Sequence, residues 1–375
     1  MRNRLGIVLL ALLVLSLATA TACAPAAQPT PTAPPKAEAT KAPEPAKSPE
    51  ATKAPDGAKA PEKAAAPAAA KPTQLTKVRL AVLKGTQIFP VMVMLEQGFD
   101  KKYGIEVVTK DVASPDAINV AMRSGDVDAC FNGWIESVKF RSQGVKVINT
   151  YPLSVFVNAV VTKKDSPLQK LDDIKGKRFG SFYNPGTITA GILRVTALKY
   201  HGFDPYKDTT LQQGAKPLII GFLDKGDIDA IYLGEPDIAQ LMGTGKYKSL
   251  ATIADVYKAA GKEVPLQLVV EMYEEFAEKN PQAAKGFSAA LQDSVNYLKT
   301  HPEIWPKLAK EVEITDQKSV DLLRESLSKA YVGKAWDKKA IDEAVEFGKD
   351  LRKTVGPEIL PDTDYAESFS MKYLP

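Results

Sequence analysis

The sequence predicts an α/β fold of two similar lobes carried on a disordered N-terminal tether, and three observations predict it. First, one pattern occurs twice. Residues 125–138 read Gly-Asp-Val-Asp-Ala-Cys-Phe-Asn-Gly-Trp-Ile-Glu-Ser-Val, and residues 226–239 read Gly-Asp-Ile-Asp-Ala-Ile-Tyr-Leu-Gly-Glu-Pro-Asp-Ile-Ala. Gly125, Asp126, Asp128, Ala129 and Gly133 align with Gly226, Asp227, Asp229, Ala230 and Gly234. Each copy spells a helix stop at glycine, a buried strand and a glycine turn into a new helix. One duplication is too little for a solenoid; it fits two lobes, each offering a strand-end turn of the kind where open parallel sheets bind ligands. Second, apolar strand runs alternate with helical runs from residue 76 onward, the signature of parallel α/β sheets. Third, residues 24–76 are almost only Ala, Pro, Lys, Thr and Glu, a composition that cannot bury enough surface to offset ordering entropy.

The elements follow in order. Residues 78–83 read as a buried strand, leading into the loop Lys84-Gly85-Thr86-Gln87-Ile88-Phe89. Pro90 suits a first helical position, and that helix runs to Gly104. Residues 105–110 form the next strand. Ser114-Pro115 caps a helix that stops at Gly125, where the first copy of the repeat begins. Residues 145–150 and 155–162 are further strands. A strand at 177–182 enters the Gly/Pro turn 183–187, which starts a helix to His201; Pro217 opens the helix before the second copy. Residues 267–270 are an apolar strand, followed by helices from Asn280-Pro281, near 304–311, at 317–331 and at 338–353.

The ends of the chain and its charge exclude several classes. Arg2 and Arg4 precede an apolar run to about Ala22, the order of a secretory signal. Ala20-Thr21-Ala22-Cys23 resembles the lipobox of bacterial lipoproteins, with Ala20 where Leu is usual; an uncleaved membrane helix is the other reading. Cys23 is therefore the expected lipidation site, and the protein is expected on the extracytoplasmic face of the cell membrane, held by the lipid alone. The tether, residues 23–76, has an extended reach on the order of 150 Å at roughly 3.1 Å per residue. Formal charge is +4, of which Arg2 and Arg4 supply two and the tether, with seven Lys against five acids, supplies two more. The remaining domain is neutral, which removes the electrostatic case for nucleic-acid binding. Cys130 lies in the repeat strand, and His201 and His301 are far apart, so no metal-ligand spacing, metal or cofactor is expected.

The order of these motifs resembles one family. Strand, loop and helix at 78–104, the two Gly-Asp-x-Asp-Ala copies, Leu171-Asp-Asp-Ile-Lys-Gly-Lys-Arg-Phe-Gly180, Gly234-Glu-Pro236 and Asn280-Pro-Gln-Ala283 are similar to the type II substrate-binding proteins of bacterial ABC importers. The branch is the one that carries nitrate, taurine, alkanesulfonates, thiamine-pyrimidine precursors and riboflavin. The resemblance covers nearly all of 78–356. It implies the periplasmic-binding-protein type II fold, with residues 76–160 and 266–375 as lobe one and 161–265 as lobe two. It implies a monomer that binds a small molecule and works with a permease and an ATP-binding subunit. A P-loop, a Gly-x-Ser-x-Gly elbow and a His placed to serve a nucleophile are all missing, so the chain is not read as an enzyme; an enzyme of thiamine-pyrimidine metabolism is the remote alternative.

Ligands of two-lobed binders sit among strand-end loops and helix starts. Lobe one offers Gln87, Phe89, Ser114, Asn132, Trp134, Phe156 and Asn158. Lobe two offers Tyr183, Thr187, Tyr232 and Glu235, with Glu235 read either as a contact or as a helix-start carboxylate, and Gln267 is a further polar candidate. Asp126, Asp128, Asp227 and Asp229 are read as turn and cap residues. Five of these positions are aromatic, while the loops carry Lys84 but no Arg or His. That favours an uncharged flat heterocycle, riboflavin first, with thiamine-pyrimidine precursors and then nitrate, alkanesulfonates or taurine as alternatives. Replacing Cys23 by Ala is expected to abolish incorporation of radiolabelled palmitate; equal labelling of variant and parent would remove the lipobox reading.

Overall fold

The computed structural model describes residues 75–375 apart from residue 358. The signal segment, Cys23 and the tether lie outside the described residues. Two five-stranded sheets organise the rest. The first is built from β1 (Thr76–Leu83), β2 (Ile105–Val112), β3 (Ala129–Gly133), β4 (Val147–Val155) and β10 (Leu266–Tyr273) in the order β2-β1-β3-β10-β4. The second holds β5 (Ala159–Lys163), β6 (Arg178–Ser181), β7 (Thr210–Gln213), β8 (Ala230–Leu233) and β9 (Tyr247–Thr252) in the order β7-β6-β8-β5-β9. Mixed α/β architecture in two layers of this kind is the expected fold class.

The duplication becomes matching geometry. β1 pairs in parallel with β2 and β3, as β6 pairs in parallel with β7 and β8. An antiparallel strand then completes each sheet beside the repeat strand: β10 against β3, β5 against β8. The chain passes from the first sheet to the second through residues 156–158. It returns just before β10, where Pro265 O accepts the Phe156 N–H at 3.3 Å. Both repeat strands end at this crossing. Gly133 lies opposite Leu268, and Leu233 lies opposite Ala159. A side chain at Gly234 would meet Asn158 Nδ2 at 2.9 Å and Tyr183 Oη at 3.0 Å, so glycine is the residue that fits there.

Helices cover the sheets according to their apolar faces. The expected helix from Pro90 to Gly104 is two: α1 (Phe89–Glu96) and α2 (Phe99–Lys102), parted where Gly98 takes φ 68°, a left-handed conformation that breaks the turn. α3 (Pro115–Arg123) starts at Ser114, whose Oγ accepts the Ala117 N–H at 3.1 Å. α4 (Trp134–Ser142) follows the first glycine turn. The segment expected as strands at 145–150 and 155–162 is one strand through Pro152 and a second after the crossing; Pro152 sits on the edge strand β4, where a missing N–H costs little. α5 (Ile188–His201), α6 (Lys216–Lys225), α7 (Asp237–Gly243) and α8 (Ile253–Ala259) flank the second sheet. α9 (Glu274–Lys279), α10 (Pro281–Thr300), α11 (Trp305–Lys310), α12 (Gln317–Ala330) and α13 (Lys338–Val355) complete the chain.

Within the segment 266–375 expected for lobe one, α13 packs both against α5 and, through Gly348, against Trp134 of α4. Its apolar stripe, Ile341, Ala344, Phe347, Leu351 and Val355, belongs to the core cluster that also contains Phe179, Ile192 and Tyr232. Amphipathic spacing predicts that α13 buries one face; it does not say against which sheet. On the opposite flank α7 packs against α12. There a Cβ at Gly243 would lie 3.0 Å from Ser319 Cβ and 3.3 Å from Ser319 Cα. Gly243→Val is therefore expected to force the two helices apart and cost about 1–3 kcal/mol in a denaturant titration, and Ser319→Gly in the same chain should recover part of the loss. An unchanged midpoint for Gly243→Val would show that this contact is not closely packed.

Candidate functional site

The crossing is where residues from both sheets come together. On the second sheet's side, Tyr183 follows β6 and is held at its main chain, where Ser181 Oγ accepts its N–H at 3.1 Å. Its Oη accepts from Asn158 Nδ2 at 3.3 Å. The rings of Phe182 and Tyr183 lie 4.1 Å apart, and Tyr232 meets Tyr183 edge-on at 5.5 Å. Burial pushes the Tyr183 phenol well above its ordinary range, so it stays a neutral hydroxyl. Asn158, Tyr183, Tyr232 and Gly234 thus form one cluster. Thr187 stands apart from it, exposed, its Oγ1 accepting the Ala190 N–H at 3.3 Å as the cap of α5.

Glu235 points the other way, toward lobe one. Its Oε2 accepts the Ala239 N–H at 3.1 Å, the helix-start role foreseen for it, and Ser326 of α12 also bonds to the carboxylate. Nearby, the Tyr331 hydroxyl donates to Thr86 O at 2.5 Å. Burial raises the Glu235 carboxyl to about 7, against the opposing pull of its hydrogen bonds.

On the first sheet's side the polar candidates are mainly occupied by their own scaffold. Ser114 caps α3. Gln87 lies partly exposed in the 3-10 turn Thr86–Ile88 that follows β1. Asn132 donates from Nδ2 to Asn119 Oδ1 at 3.2 Å and to Glu271 Oε1 at 3.4 Å, while its Oδ1 accepts from Gly133 N at 3.1 Å. The aromatic candidates are core residues. Phe89 packs edge-on against Trp305, Phe156 against Phe347, and Trp134 against Tyr365 and Phe369. Trp134 is 1% exposed and Phe89 is fully buried. Of the five rings assigned to the cleft, only Tyr183 keeps partial exposure. The glycine turn does aim Trp134 off the sheet end, but the C-terminal segment beyond α13 folds over it.

Sequence reading missed three groups. Lys216 and Asp237 form an ion pair at 2.9 Å beside Phe182, with the Lys216 ammonium 5.4 Å from that ring. Gln213 donates to Tyr183 O at 3.2 Å. Most telling is Glu271, a fully buried acid in the central strand β10. Ser137 Oγ donates to it at 2.5 Å and Cys130 Sγ at 3.4 Å, and burial raises its carboxyl to about 7. The signal was present: a single Glu inside the apolar run 268–272. Burial and the neighbouring Glu271 also push the Cys130 thiol up, so it is a protonated core thiol.

The matches to known proteins agree with this arrangement. Residues 85–304 match the family described as NMT1/THI5 like. The taurine-binding periplasmic protein of Escherichia coli K12 is 26% identical over 243 residues, spanning 62% of this chain and 71% of that protein. The periplasmic aliphatic sulphonate binding protein of Escherichia coli superposes with a TM-score of 0.63 at 15% identity, covering 78% of this chain and 91% of its own. The alkanesulfonate-binding protein of Xanthomonas axonopodis pv. citri, bound to MOPS, gives 0.62 at 14% identity over 80% and 99%. These likenesses establish the two-lobed binding-protein fold.

The raised carboxyls carry a sign. A carboxyl at about 7 in the folded chain and 4.5 unfolded keeps its proton in the fold while the unfolded chain has lost it. Stability is then greatest below about 4.5 and falls as pH rises to 7, by about 2–3 kcal/mol for Glu271. Carboxylates held low, such as Asp126 and Asp173, act in the opposite sense and only in more acid solution. Melting temperature is expected to fall between pH 5 and 7.5, and Glu271→Gln should flatten that slope; an unaltered slope would place Glu271 among ordinary ionised carboxylates.

Proposed function

Because the chain belongs to the NMT1/THI5-like family, we propose that it is the extracytoplasmic solute-binding component of an ABC importer, a binder and not an enzyme. One observation carries the reading: the glycine turns of the two repeat copies, Gly133 and Gly234, meet the same crossing from opposite sheets. A solute there touches both lobes and neither core. Delivery then requires a membrane permease and an ATP-hydrolysing subunit. Cys23 carries the lipid that keeps the monomer at the membrane, and the tether gives it reach.

The solute is a small organic anion of the sulfonate class. The named relatives bind taurine and sulphonates. α3 begins at a strand-end turn, and the first-turn N–H groups that Ser114 does not cap, with the helix dipole, favour a negative group without any arginine. Lys216, paired with Asp237, stands at the second lobe's rim as a donor that an anion can share. The aromatic argument for a flat heterocycle weakens with four of its five rings placed in the cores. A second reading, riboflavin or a thiamine-pyrimidine precursor, rests on the Phe182–Tyr183 pair, whose rings 4.1 Å apart offer one stacking face.

Calorimetric titration with taurine, an alkanesulfonate, nitrate and riboflavin separates these readings. One-site binding of a sulfonate at micromolar or tighter affinity is expected, with flavin fluorescence unquenched. Quenched flavin without sulfonate heat would reverse the order, and Tyr183→Ala should then weaken the flavin by about 1–3 kcal/mol. Binding of none of the four would overturn the transport reading for this solute range.

A further inference from the structure

We propose that a cavity on the outer edge of the crossing is a second small-molecule site, which takes an amphipathic organic anion and is coupled to the angle between the two sheets. The cavity has a volume of about 710 Å³. It lies beyond the edge strand β4 of the first sheet and beside α8, which follows the edge strand β9 of the second. It is therefore lateral to the strand-end turns of the proposed solute site.

Its chemistry is two-sided. Leu266, Tyr257 and Phe347 give it an apolar floor, while its rim carries lysines. Lys199, Lys329 and Lys339 are committed to Asp350, Glu325 and Glu343 at 2.7, 2.7 and 3.7 Å. Lys262, Lys299 and Lys334 make no ion pair among the described residues. Of the rim acids, Asp350 and Glu343 are used in those pairs and Asp337 caps α13, where it accepts the Ala340 N–H at 2.8 Å. Glu263 and Glu346 remain, and the lining as a whole carries six lysines against five carboxylates. Lys299 is the sharpest case. It stands exposed at the rim, and partial desolvation by its neighbours pushes it below the ordinary lysine range with no carboxylate opposing that shift. A bound anion would supply the missing counter-charge. Beside it Gly333 is closely packed: a Cβ there would stand 2.5 Å from Asn296 Oδ1 and 3.3 Å from Lys299 Nζ.

The coupling follows from which segments form the wall, and it rests on the two-lobed reading above; the site itself does not. Val155 precedes the first crossing, and Pro265 and Leu266 end the second. Their mutual hydrogen bond, Phe156 N to Pro265 O, borders the cavity. An occupant wedged between these strands and Tyr257 of the second lobe must favour some interlobe angles over others.

1-Pyrenebutyrate, a fluorescent aromatic carboxylate, tests the site in the full chain. Saturable one-site binding is expected, persisting in excess taurine and unaffected by Tyr183→Ala. Lys299→Glu should weaken it tenfold or more, Gly333→Val should weaken it by displacing Asn296 and Lys299, and the neutral 1-pyrenebutanol should bind at least tenfold more weakly. Thermal melts confirm that each variant folds. Affinity unchanged in both cavity variants, or lost with taurine or Tyr183→Ala, would overturn the site. For the coupling, saturating probe should change the radius of gyration of the parent in small-angle scattering; full binding at constant radius would overturn it.

Discussion

Two matching Arg–Asp forks set the frame on which everything else is built. Asp128 accepts from the Arg79 main-chain N–H at 2.8 Å and from its guanidinium at 3.0 and 2.6 Å. Asp229 does the same for Arg178 at 2.9, 3.1 and 2.5 Å. In return each aspartate N–H donates to the arginine carbonyl at 2.8 Å. The next residues along each strand pair in register, Leu80 with Ala129 and Phe179 with Ala230. Both arginines are nearly half exposed, so solvent screening keeps each fork's contribution to stability small. Their larger effect is geometric. A one-residue slip would turn every inward side chain of β3 or β8 outward, and a carboxylate held by two guanidinium N–H groups and the arginine's main-chain N–H does not tolerate that slip. With register fixed, both glycine turns reach the crossing at matching positions.

The duplicated aspartates were legible in the sequence as structural residues; their partners were not. Arg79 and Arg178 lie 49 and 51 residues from their acids, beyond any local pattern. Buried strands were legible because their apolar runs are continuous, whereas β7, reading Thr-Leu-Gln-Gln, and β9 were missed because edge strands keep polar residues. Helix starts at Ser114, Thr187 and Asn280-Pro281 stand where capping chemistry put them. The site was read less well, for one reason. A strand-end position says that a side chain is near the crossing, but the crossing has a core of its own. Trp134, Phe156 and Tyr232 fill it together with Trp336, Phe347 and Phe369 from the far end of the chain. Residues more than 100 positions away decide whether such a ring meets solute or protein.

Buried acid beside this core follows from the same crowding. Glu271 and Glu235 flank the crossing from the two sheets, each satisfied by hydroxyl or main-chain donors and neither facing a cation. Ionising either would leave a charge that its donors only partly solvate, so both hold their protons to about 7. A protonated carboxyl is a donor as well as an acceptor. That lets Glu271 join Ser137, Asn132 and Cys130 in one neutral network between β3, β10 and α4, while Ser137 also reaches Asn149 Oδ1 at 2.6 Å on the far strand β4.

The two flanks of the crossing are built from different materials, and the difference dictates how the sheets can move. Between α7 and α12 the closest approach is between small residues, Gly243 against Ser319, with Ala239 buried beside Val320 and Leu323. Between α5 and α13 the contact buries Leu351 and Val355 over Gly191, and each buried methylene resists separation by about 0.8 kcal/mol. α13 meets both sides of the crossing: Leu351 and Val355 cover Gly191 while Gly348 lies against Trp134, and the segment from Tyr331 to Asp337 leads into it from the first sheet. Tyr331 still belongs to the first sheet, bridged to Ser154 of β4 and bonded to Thr86, whereas Asp337 already caps α13. A change of angle between the sheets must bend the connections at 156–158 and before β10 together, and the cavity at the edge of β4 is lined by residues beside both, Val155, Pro265 and Leu266.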